Sequence, residues 1–579
     1  MQRLLLRPRI RLAARVPVRR AFASSSSGGS SNGSSSGGKK VAPPKTDQAA
    51  SATEEQYISV DKRGLYQEVA RAMGGKVEKS PLTPLGEILK ASIKQVGPIS
   101  VADFMDVCLA HPEHGYYMNK ETAKIGKAGD FVTAPEISQM FGELLGVWGV
   151  ATWEKLGTPR AFRLAEIGPG KGTLMQDVLR VARTFAPFHK GLAGVHMVET
   201  SKALRKVQAE ALGAIQDKEQ EEEKKEEEKK PDSDKARLKS DVGEEETEWE
   251  RGGSQLTRKP RWRLPCERGI DWHEDIRQVP VGSPLIIFAQ ELLDALPVHQ
   301  FEYTAEGWRE RLVDVEGDPL APHHFKFTLA KGPTPPVVHL ESLMPEKLQA
   351  LLDAAAAAPP ARSQGGANEY KDEKQEGQGE KKKEEEGEEE IKDDPEKCKL
   401  GTSLEVCPLA LQIVQQVAER VARTGGAALF VDYGEDYAQG DSLRGLKRHA
   451  LVHALAEPGE VDLSTDVDFA ALKEAVAGVE GVRAFGPMRQ GEFLSAMGIE
   501  TRLQALLDGK EGGGLTDKQA LLLYDSYRRL VDPEQMGRKY KVLALVSSKH
   551  QGPAIAFPSA SLAKEKVEEE KEKEEEKKW

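Results

Sequence analysis

Three glycines and one acid are concentrated in a short stretch, Ala165–Leu174, where the chain reads A-E-I-G-P-G-K-G-T-L. Gly168, Gly170 and Gly172 are spaced two residues apart, and Glu166 comes just before them. Because glycine has no Cβ, such a loop can turn sharply and bring its backbone close to a ligand. The pattern therefore indicates a ligand-binding turn with a carboxylate beside it.

Three kinds of ligand-binding loop have glycines in such an arrangement. A phosphate-binding loop reads GxxxxGK followed by Ser or Thr, and Lys171 is at the wrong position for it. A dinucleotide-binding loop reads GxGxxG, but Thr173 occupies the place of its third glycine. The remaining pattern, E-x-G-x-G-x-G, is the S-adenosylmethionine loop of class I methyltransferases, and it matches at every fixed position. We therefore predict that Gly168, Gly170 and Gly172 bind S-adenosylmethionine, with a plain tight turn as the structural alternative.

Two acidic side chains suit this cofactor. S-adenosylmethionine carries a sulfonium, an ammonium and a ribose diol but no phosphate, so its site needs hydrogen-bond acceptors. Glu199 follows an apolar run in the stretch HMVET, where its carboxylate can accept both ribose hydroxyls. Glu166 is predicted to orient the amino-acid part of the cofactor, directly or by bracing the loop. The alternative for Glu199 is an acid favoured at the start of a helix by the helix dipole.

A second acidic pair follows a later apolar run, in the stretch A-Q-E-L-L-D-A-L-P that ends at Pro297. The end of that run faces the transferable methyl group in the methyltransferase fold, so Glu291 and Asp294 are predicted to meet the acceptor. If the acceptor is arginine, which stays cationic, these carboxylates can clamp its guanidinium and accept the proton lost around transfer. The alternative is that Glu291 caps a helix and Asp294 is a buried turn acid.

Short apolar runs alternate with helical patterns through the chain. Leu174, Val178 and Val181 form one stripe of a helix over residues 174–182. Runs that are apolar at successive positions are typical of strands covered on both faces. The sequence therefore predicts an α/β fold with a doubly wound, Rossmann-like sheet. The candidate strands are Phe162–Ile167, Gly194–Val198, Leu285–Ala289, Ala427–Val431 and Val542–Val546.

The composition excludes several classes of protein. The chain has 579 residues, a net charge of −11 and 30% charged residues, which is too polar on average for one packed domain of this length. No apolar run approaches the roughly 18–20 residues of a membrane span, so we expect no integral membrane contact. The four cysteines form no CxxC pair, and we predict no metal site. Net acidity argues against nucleic acid as the main partner.

The polar residues are concentrated in separate segments. The first segment is rich in Arg and Ser and has no acid before Asp47, which is typical of a mitochondrial transit peptide. Runs of Glu and Lys with almost nothing apolar to bury are predicted to stay disordered. The predicted segments are a transit peptide and leader (1–56), an N-terminal helical segment (57–160), a core (161–215, 259–350 and 399–552, the last with a helical insertion), two disordered insertions (216–258 and 351–398) and a disordered acidic tail (553–579).

Several longer blocks make the chain recognisable. In order, these are GPISVADFM from Gly97, HPEHGYY from His111, GDFVTAPEISQMFGELLG from Gly129, EIGPGKGTL from Glu166, QELLDALPVHQF from Gln290, DYGEDY from Asp432, PGEVDLSTDVDF from Pro458 and QGEFLSAMGI from Gln490. The chain resembles the MidA-like family, which includes mitochondrial arginine methyltransferases that act in complex I assembly, and the resemblance spans the chain from about residue 85 to 546 in these several blocks. The resemblance implies a class I methyltransferase fold with extra helical parts, location in the mitochondrial matrix, and symmetric dimethylation of an arginine on a core complex I subunit.

The resemblance also implies further site residues. The loop GDFVTAPEIS is expected to close over the cofactor, and its working residues are predicted to be Gly129, Asp130, Thr133, Pro135 and Glu136.

Other blocks have weaker implications. Asp432 is a weaker candidate for cofactor or substrate binding, and the histidines of HPEHGYY are expected to be turn residues. For Asp462, Asp466 and Asp468 we expect helix-capping and loop roles. Where family members commonly read NEFFDALP this chain reads QELLDALP, so Gln290, Leu292 and Leu293 change the lining of the acceptor pocket.

Two other functions remain open at this point. One is a non-catalytic assembly chaperone that keeps the methyltransferase fold, although such a protein has no physical need for three glycines in the loop. The other is a methyltransferase for a small molecule, which should have a closed acceptor pocket rather than an open cleft. Binding of S-adenosylmethionine separates the first alternative from an enzyme.

Overall fold

The structure of the protein is a computed structural model. The described residues are 79–118, 126, 129–216, 262–319, 321–357, 400–509 and 515–558. The predicted leader over 1–56 lies outside them, as do most of the two predicted insertions and the tail from residue 559.

The strands and helices of the described residues are numbered in chain order. The strands are β1 (Ile99–Ser100), β2 (Phe162–Ile167), β3 (Leu192–Val198), β4 (Ile215–Gln216), β5 (Trp262–Arg263), β6 (Gly269–His273), β7 (Leu285–Gln290), β8 (His299–Thr304), β9 (Gly307–Val315), β10 (Phe325–Leu329), β11 (Ser403–Val406), β12 (Gly426–Glu435), β13 (Arg444–Lys447), β14 (Ala450–Val452), β15 (Asp462–Ser464), β16 (Val467–Asp468), β17 (Val482–Arg489) and β18 (Tyr540–Ser547). The helices are α1 (Pro84–Val96), α2 (Val101–Ala110), α3 (Ala134–Ile137), α4 (Gln139–Lys155), α5 (Thr173–Thr184), α6 (Ala186–Gly191), α7 (Lys202–Ala211), α8 (Pro335–Leu343), α9 (Pro345–Ala357), α10 (Pro408–Thr424), α11 (Phe469–Ala477), α12 (Gln490–Ala496), α13 (Ile499–Leu507), α14 (Asp517–Val531) and α15 (Met536–Lys539).

The central sheet has the order β17-β18-β12-β7-β2-β3-β6-β5-β4 and contains all five predicted strands. The neighbours β12–β7, β7–β2, β2–β3 and β3–β6 are parallel. Strand order reverses at β2, because β3 lies on one side of it and β7 on the other. In sheets of this kind, ligands bind at the carboxyl ends of the strands near that reversal. The predicted α/β doubly wound fold is confirmed.

One predicted strand departs from the parallel arrangement. β18 runs antiparallel to both of its neighbours, β12 and β17. Its residues from 541 to 547 are all buried, just as they would be in a parallel strand. An apolar run indicates that a strand is buried on both faces, but it does not indicate whether the strand runs parallel or antiparallel to its neighbours. The sequence pattern therefore did not reveal the direction of β18.

Helices cover both faces of the central sheet. The predicted stripe of α5 is buried, with Leu174, Val178 and Val181 packed on one face together with α4. On α4 itself, Phe141 and Trp148 are fully buried between α5 and the sheet. The opposite face is covered by α10 and α11. This two-sided cover holds the ends of β2, β3 and β7 in fixed positions.

A second, antiparallel sheet lies in a stretch that the sequence analysis assigned to the core. It has the order β1-β9-β8-β11, with β10 also paired to β9, and α1 and α2 pack with it in a separate apolar cluster. Along β9 the buried residues Trp308, Glu310 and Val313 are separated by partly exposed ones, as expected for a sheet covered on one face. The predicted insertion from residue 351 begins too early, because residues 351–357 continue α9 and Leu352 is buried against Phe301 and Trp308.

Among the described residues, no helix combines the length and the apolar character that a bilayer crossing requires.

Candidate active site

The glycine loop joins β2 to α5 at the carboxyl edge of the sheet. Gly168, Gly170 and Gly172 all have positive φ, at +66°, +51° and +84°, a conformation that side chains disfavour. A Cβ on Gly168 would lie 2.7 Å from the Leu292 side chain, whereas a Cβ on Gly170 would have no described atom within 4 Å. The loop is therefore packed from one side and open at Gly170, as a cradle for a ligand requires.

Glu166 lies beneath this loop and is 3% exposed. Burial raises the pKa of Glu166 well above its usual range. A hydrogen bond with the backbone of Met175, a residue of α5, opposes that shift. One carboxylate oxygen, Oε2, is buried without a hydrogen-bond partner among the described residues. Glu166 thus braces the loop against α5 and leaves one acceptor atom for a donor such as an ammonium group.

Glu199 follows β3 and is connected to the glycine loop by a residue that the sequence analysis missed. Its Oε1 accepts a hydrogen bond from the backbone N–H of Ser201 (2.7 Å), and its Oε2 accepts one from Gln208 Nε2 (3.1 Å). The same Gln208 Nε2 donates to the Gly170 carbonyl oxygen (2.7 Å), and Trp272 Nε1 donates to Gln208 Oε1 (2.8 Å). Gln208 therefore holds the acid and the loop at a fixed separation.

Glu199 also helps to start α7, so the helix-end role considered for it holds in part. Each carboxylate oxygen has more than one lone pair, and the bonds from Ser201 and Gln208 leave further acceptor capacity. Burial raises the pKa of Glu199, and those hydrogen bonds oppose the shift. The geometry is compatible with binding a diol.

The predicted closing loop spans the distance between the glycine loop and the second acidic pair. At one end, Glu136 forms an ion pair with Lys171 (3.3 Å). At the other end, the backbone N–H of Ala134 donates to Glu291 Oε1 (3.1 Å). Thr133 is the N-cap of α3, and Pro135 lies in the first turn of that helix, where its missing N–H costs nothing.

Asp130 anchors the beginning of that loop and does not point to the glycine loop. Its carboxylate accepts hydrogen bonds from Tyr116 Oη (2.9 Å) and from the backbone N–H of Arg448 (2.7 Å). Gly129 donates its N–H to the carbonyl oxygen of Gly126 (2.7 Å). These two predicted cofactor residues act through the shape of the loop in this structure.

Asp432, at the carboxyl end of β12, organises the turn that follows β7. Its Oδ2 accepts hydrogen bonds from the backbone N–H groups of Leu292 (3.1 Å) and Leu293 (2.8 Å), and its Oδ1 accepts one from the N–H of Tyr433 (2.9 Å). Within this turn Glu291 has a φ of +47°, which is strained for a residue other than glycine. These hydrogen bonds place Asp432 where it can position Glu291, and its direct role in ligand binding stays a prediction.

Glu291 and Asp294 are both placed in this buried acidic region. Burial, and then the nearby Asp294, raise the pKa of Glu291 to about 8. Burial also raises the pKa of Asp294, while Tyr433, whose hydroxyl donates to Asp294 Oδ2, and Arg444 oppose the shift. The second oxygen, Asp294 Oδ1, is buried and has no hydrogen-bond partner among the described residues. Such a region favours a ligand that is cationic and rich in N–H donors.

The remaining acids and histidines divide between expected and unexpected roles. Asp468 caps α11, accepting from the N–H of Ala471 (2.9 Å), as predicted. His111 Nδ1 accepts backbone hydrogen bonds within its own turn, also as predicted. The expectation for Asp462 is wrong, because Asp462 is buried and interacts with Asp294 rather than capping a helix. Within the described residues no three His, Cys, Asp or Glu side chains are grouped as a metal site would need.

Comparison with protein families gives an independent finding. Residues 144–488, more than half of the chain, match the family described as "Putative S-adenosyl-L-methionine-dependent methyltransferase". The curated "Protein arginine methyltransferase NDUFAF7, mitochondrial" of Mus musculus is 36% identical over 472 residues, which are 81% of this chain and 86% of the relative. The protein of the same name in Homo sapiens is 33% identical over 474 residues, or 82% of this chain and 86% of the relative.

Solved structures show the same fold. A protein from Burkholderia thailandensis, crystallised with S-adenosyl-homocysteine, superposes with a TM-score of 0.54 at 22% identity. The superposition covers 82% of this chain and 94% of the bacterial protein.

Proposed function

Because this chain belongs to that family and is an S-adenosylmethionine-dependent methyltransferase, we propose that its acceptor is an arginine side chain of a protein. The relatives are named protein arginine methyltransferases, which supports this acceptor. The observation that carries the proposal is the acidic pair of the half-buried Glu291 and the buried Asp294, with Asp294 Oδ1 lacking a partner among the described residues. A guanidinium is cationic, planar and rich in N–H donors, so it fits two carboxylates better than a neutral acceptor does.

The cofactor site in this proposal consists of the glycine loop and the acids around it. Gly168, Gly170 and Gly172 supply the open backbone turn, and Glu166 and Glu199 supply carboxylate acceptors at the ends of β2 and β3. The closing loop, with its working residues Gly129, Asp130, Thr133, Pro135 and Glu136, covers this site. When bound, the cofactor would supply a methyl group on its sulfonium: the acceptor nitrogen would bond to the methyl carbon as the carbon–sulfur bond breaks, with S-adenosylhomocysteine as the leaving group.

The protein's own contribution to transfer is orientation and control of one proton. Asp432 fixes the turn that carries Glu291, and orientation is the main demand of an in-line displacement. A guanidinium nitrogen loses a proton around the time it gains a methyl group. Because the pKa of Glu291 is raised to about 8, its carboxylate is a better proton acceptor than an ordinary glutamate. We assign Glu291 and Asp294 to guanidinium binding, with Glu291 as the proton acceptor.

The biological setting is proposed on coarser grounds. The relatives are named mitochondrial, and the first 56 residues have the Arg-rich, acid-poor composition of a transit peptide. We propose that the protein acts in the mitochondrial matrix, where it symmetrically dimethylates an arginine on a core subunit of complex I during assembly. The Glu/Lys-rich segments are proposed to be solvated insertions that take no part in catalysis.

A methylation assay tests this function directly. The purified protein is incubated with the partner subunit and isotopically labelled S-adenosylmethionine, and the modified residue is mapped by mass spectrometry. We expect label on one arginine as symmetric dimethylarginine, and no label with Glu291→Gln. Binding of S-adenosylmethionine is measured in parallel by calorimetry. Failure to bind the cofactor would favour the chaperone alternative, and label on a small molecule alone would refute a protein acceptor.

A further inference from the structure

A third acid, Asp462, is close enough for its charge to act on Glu291 and Asp294, and it comes from a distant part of the chain. Asp462 is 6% exposed and begins β15, where it pairs with Leu446 of β13. Three residues further on, the backbone N–H of Thr465 donates to the carbonyl oxygen of Asp294 (2.9 Å). These two attachments hold the segment from Asp462 to Thr465 against the turn that carries the acidic pair.

The charges of the three acids act on one another. Among the neighbouring charges, Asp294 has the largest effect in raising the pKa of Asp462, and Asp462 in turn raises the pKa of Glu291. Burial is the main cause of both shifts. Acids in such a site keep their protons to higher pH, and a bound cation would favour their ionised form.

Tyr117 determines the orientation of Asp462. The Tyr117 hydroxyl donates a hydrogen bond to Asp462 Oδ1 (2.8 Å), although the two residues are 345 positions apart. The Tyr117 ring packs edge-on against the Tyr116 ring, with centroids 5.1 Å apart. The backbone N–H of Tyr117 donates to the carbonyl oxygen of Leu109 (3.1 Å). The tyrosine is therefore fixed by backbone and ring contacts, and it directs the carboxylate.

The cation near this cluster is already engaged. Arg444 forms an ion pair with Asp466 (2.7 Å) and lies over the Tyr433 ring, 4.7 Å from its centroid. Asp294 Oδ1 nevertheless stays buried without a hydrogen-bond partner among the described residues. An orphaned acceptor in a buried acidic cluster indicates that a donor from outside the protein fits there.

We propose that Asp462, held by Tyr117, is a third carboxylate of the acceptor pocket and binds the cationic guanidinium of the substrate together with Glu291 and Asp294. This inference rests on the proposed arginine acceptor. A guanidinium has five N–H donors. Two carboxylates that each accept two parallel hydrogen bonds leave at least one donor without a partner. The third carboxylate, supplied by β15, contacts the donors that the turn after β7 does not reach. Asp462 is then a binding residue, and Tyr117 is a positioning residue that acts through it.

The test compares Asp462→Asn, Tyr117→Phe and the double variant in the full-length protein. Asn keeps the shape of the side chain but removes the charge, and we expect the acceptor KM to rise about tenfold to hundredfold. Tyr117→Phe should raise it by a smaller factor, about threefold to tenfold, through loss of one hydrogen bond. Because Tyr117 acts through Asp462, the double variant should be no worse than Asp462→Asn alone.

A matched control and a second ligand separate the possible outcomes. Asp468 lies shortly after Asp462 in the chain but caps α11. Because Asn also caps helices well, Asp468→Asn should leave the acceptor KM and the cofactor Kd unchanged. Calorimetry with S-adenosylmethionine should give the same Kd for every variant. A higher Kd for S-adenosylmethionine in Asp462→Asn would mean that Asp462 binds the ammonium of the cofactor. That result would overturn the proposal.

Binding of the acceptor is also measured without turnover, by calorimetry of an arginine peptide with the protein saturated in S-adenosyl-homocysteine. Weaker peptide binding by Asp462→Asn and Tyr117→Phe supports the inference, and unchanged binding refutes it. If Asp462→Asn fails to fold, the milder Tyr117→Phe decides the question alone. If the unaltered protein methylates no arginine, the proposed function fails instead, which the same experiment reveals through the wild-type control.

Discussion

The carboxylate of Glu291 lies 3.1 Å from the backbone nitrogen of Ala134, and it accepts that hydrogen bond at the start of α3. Two residues further along, Glu136 forms an ion pair with Lys171 inside the glycine loop. One short helix is thus attached to the proposed acceptor carboxylate at one end and to the proposed cofactor loop at the other. The position of Glu291 and the closure of the cofactor site should therefore depend on each other.

Breaking the ion pair should weaken cofactor binding without unfolding the protein. The Lys171 side chain is 30% exposed, so the pair with Glu136 is worth about 1 kcal/mol or less. For Glu136→Gln we expect the Kd for S-adenosylmethionine, measured by calorimetry, to rise by about threefold to fivefold. The control is Asp436→Asn, which breaks the comparable surface pair with Lys473 and should not change the Kd. An unchanged Kd in Glu136→Gln would disprove the role of this contact.

Substitution of Gly170 should abolish cofactor binding at a modest cost in stability. Gly170 has a φ of +51° and no described atom within 4 Å of an added Cβ, so valine meets no protein atom there. The backbone strain should lower the free energy of unfolding by about 1–2 kcal/mol. The added methyl groups should occupy the space of the cofactor, and calorimetry should detect no binding of S-adenosylmethionine to Gly170→Val.

A matched glycine separates strain from blocked binding. Gly157 has a φ of +82° and likewise has no described atom within 4 Å of an added Cβ, but it follows α4 away from the site. Gly157→Val should lose similar stability and keep full cofactor affinity. Normal methylation by a folded Gly170→Val protein would refute the proposed position of the cofactor.

Asp432 should matter for catalysis through the backbone that it holds. In Asp432→Ala, the N–H groups of Leu292, Leu293 and Tyr433 lose their acceptor in a buried site. We expect the free energy of unfolding, measured with denaturant, to fall by about 3 kcal/mol, and kcat to fall about 100-fold as Glu291 loses its position. The control is Asp275→Ala, which removes the cap of a short helical turn over Ile276–Gln278. It should lower the free energy of unfolding by about 1 kcal/mol and leave kcat unchanged. Equal kcat in the two variants would contradict the positioning role.

The parts of this protein that could be predicted from sequence are local. The glycine loop, the strand β2 and the stripe of α5 each depend on residues that are close in the chain, and they lie where the pattern placed them. Gln208 was missed because a glutamine on a helix shows no sign of the three partners that its side chain binds, Gly170, Glu199 and Trp272.

The role of Asp462 was misjudged for a related reason. Its partner Tyr117 is 345 residues away, and the contact of Thr465 with Asp294 joins residues 171 positions apart. A single sequence contains capping patterns, which made helix capping the simpler interpretation. The pairing of β13 with β15 and the bond from Thr465 to Asp294 together bring this acid near the other two.

The raised pKa values imply a specific dependence of stability on pH. The pKa of Glu291 rises from 4.5 to about 8 in the folded protein, so between these values the folded state binds more protons than the unfolded state. The free energy of unfolding should therefore decrease as the pH rises through this window. Denaturation at pH 6 and pH 9 should show a smaller decrease for Glu291→Gln than for the wild type, because Gln does not titrate. An identical decrease in both proteins would show that Glu291 has an ordinary pKa.

The same shift predicts the pH profile of catalysis. Guanidinium binding and proton acceptance both require ionised carboxylates, so kcat/KM for the acceptor should rise with pH and level off above about pH 8. Burial, and then the nearby Asp294, raise the pKa of Asp462 to about 8 as well, so the rising limb belongs to the coupled group and its slope should lie between one and two. Asp462→Asn should reduce that slope to one while Glu291 still titrates. A flat profile between pH 6 and pH 8 in the wild type would mean that these acids are already ionised, and their proposed role as proton acceptor and clamp would need a different electrostatic basis.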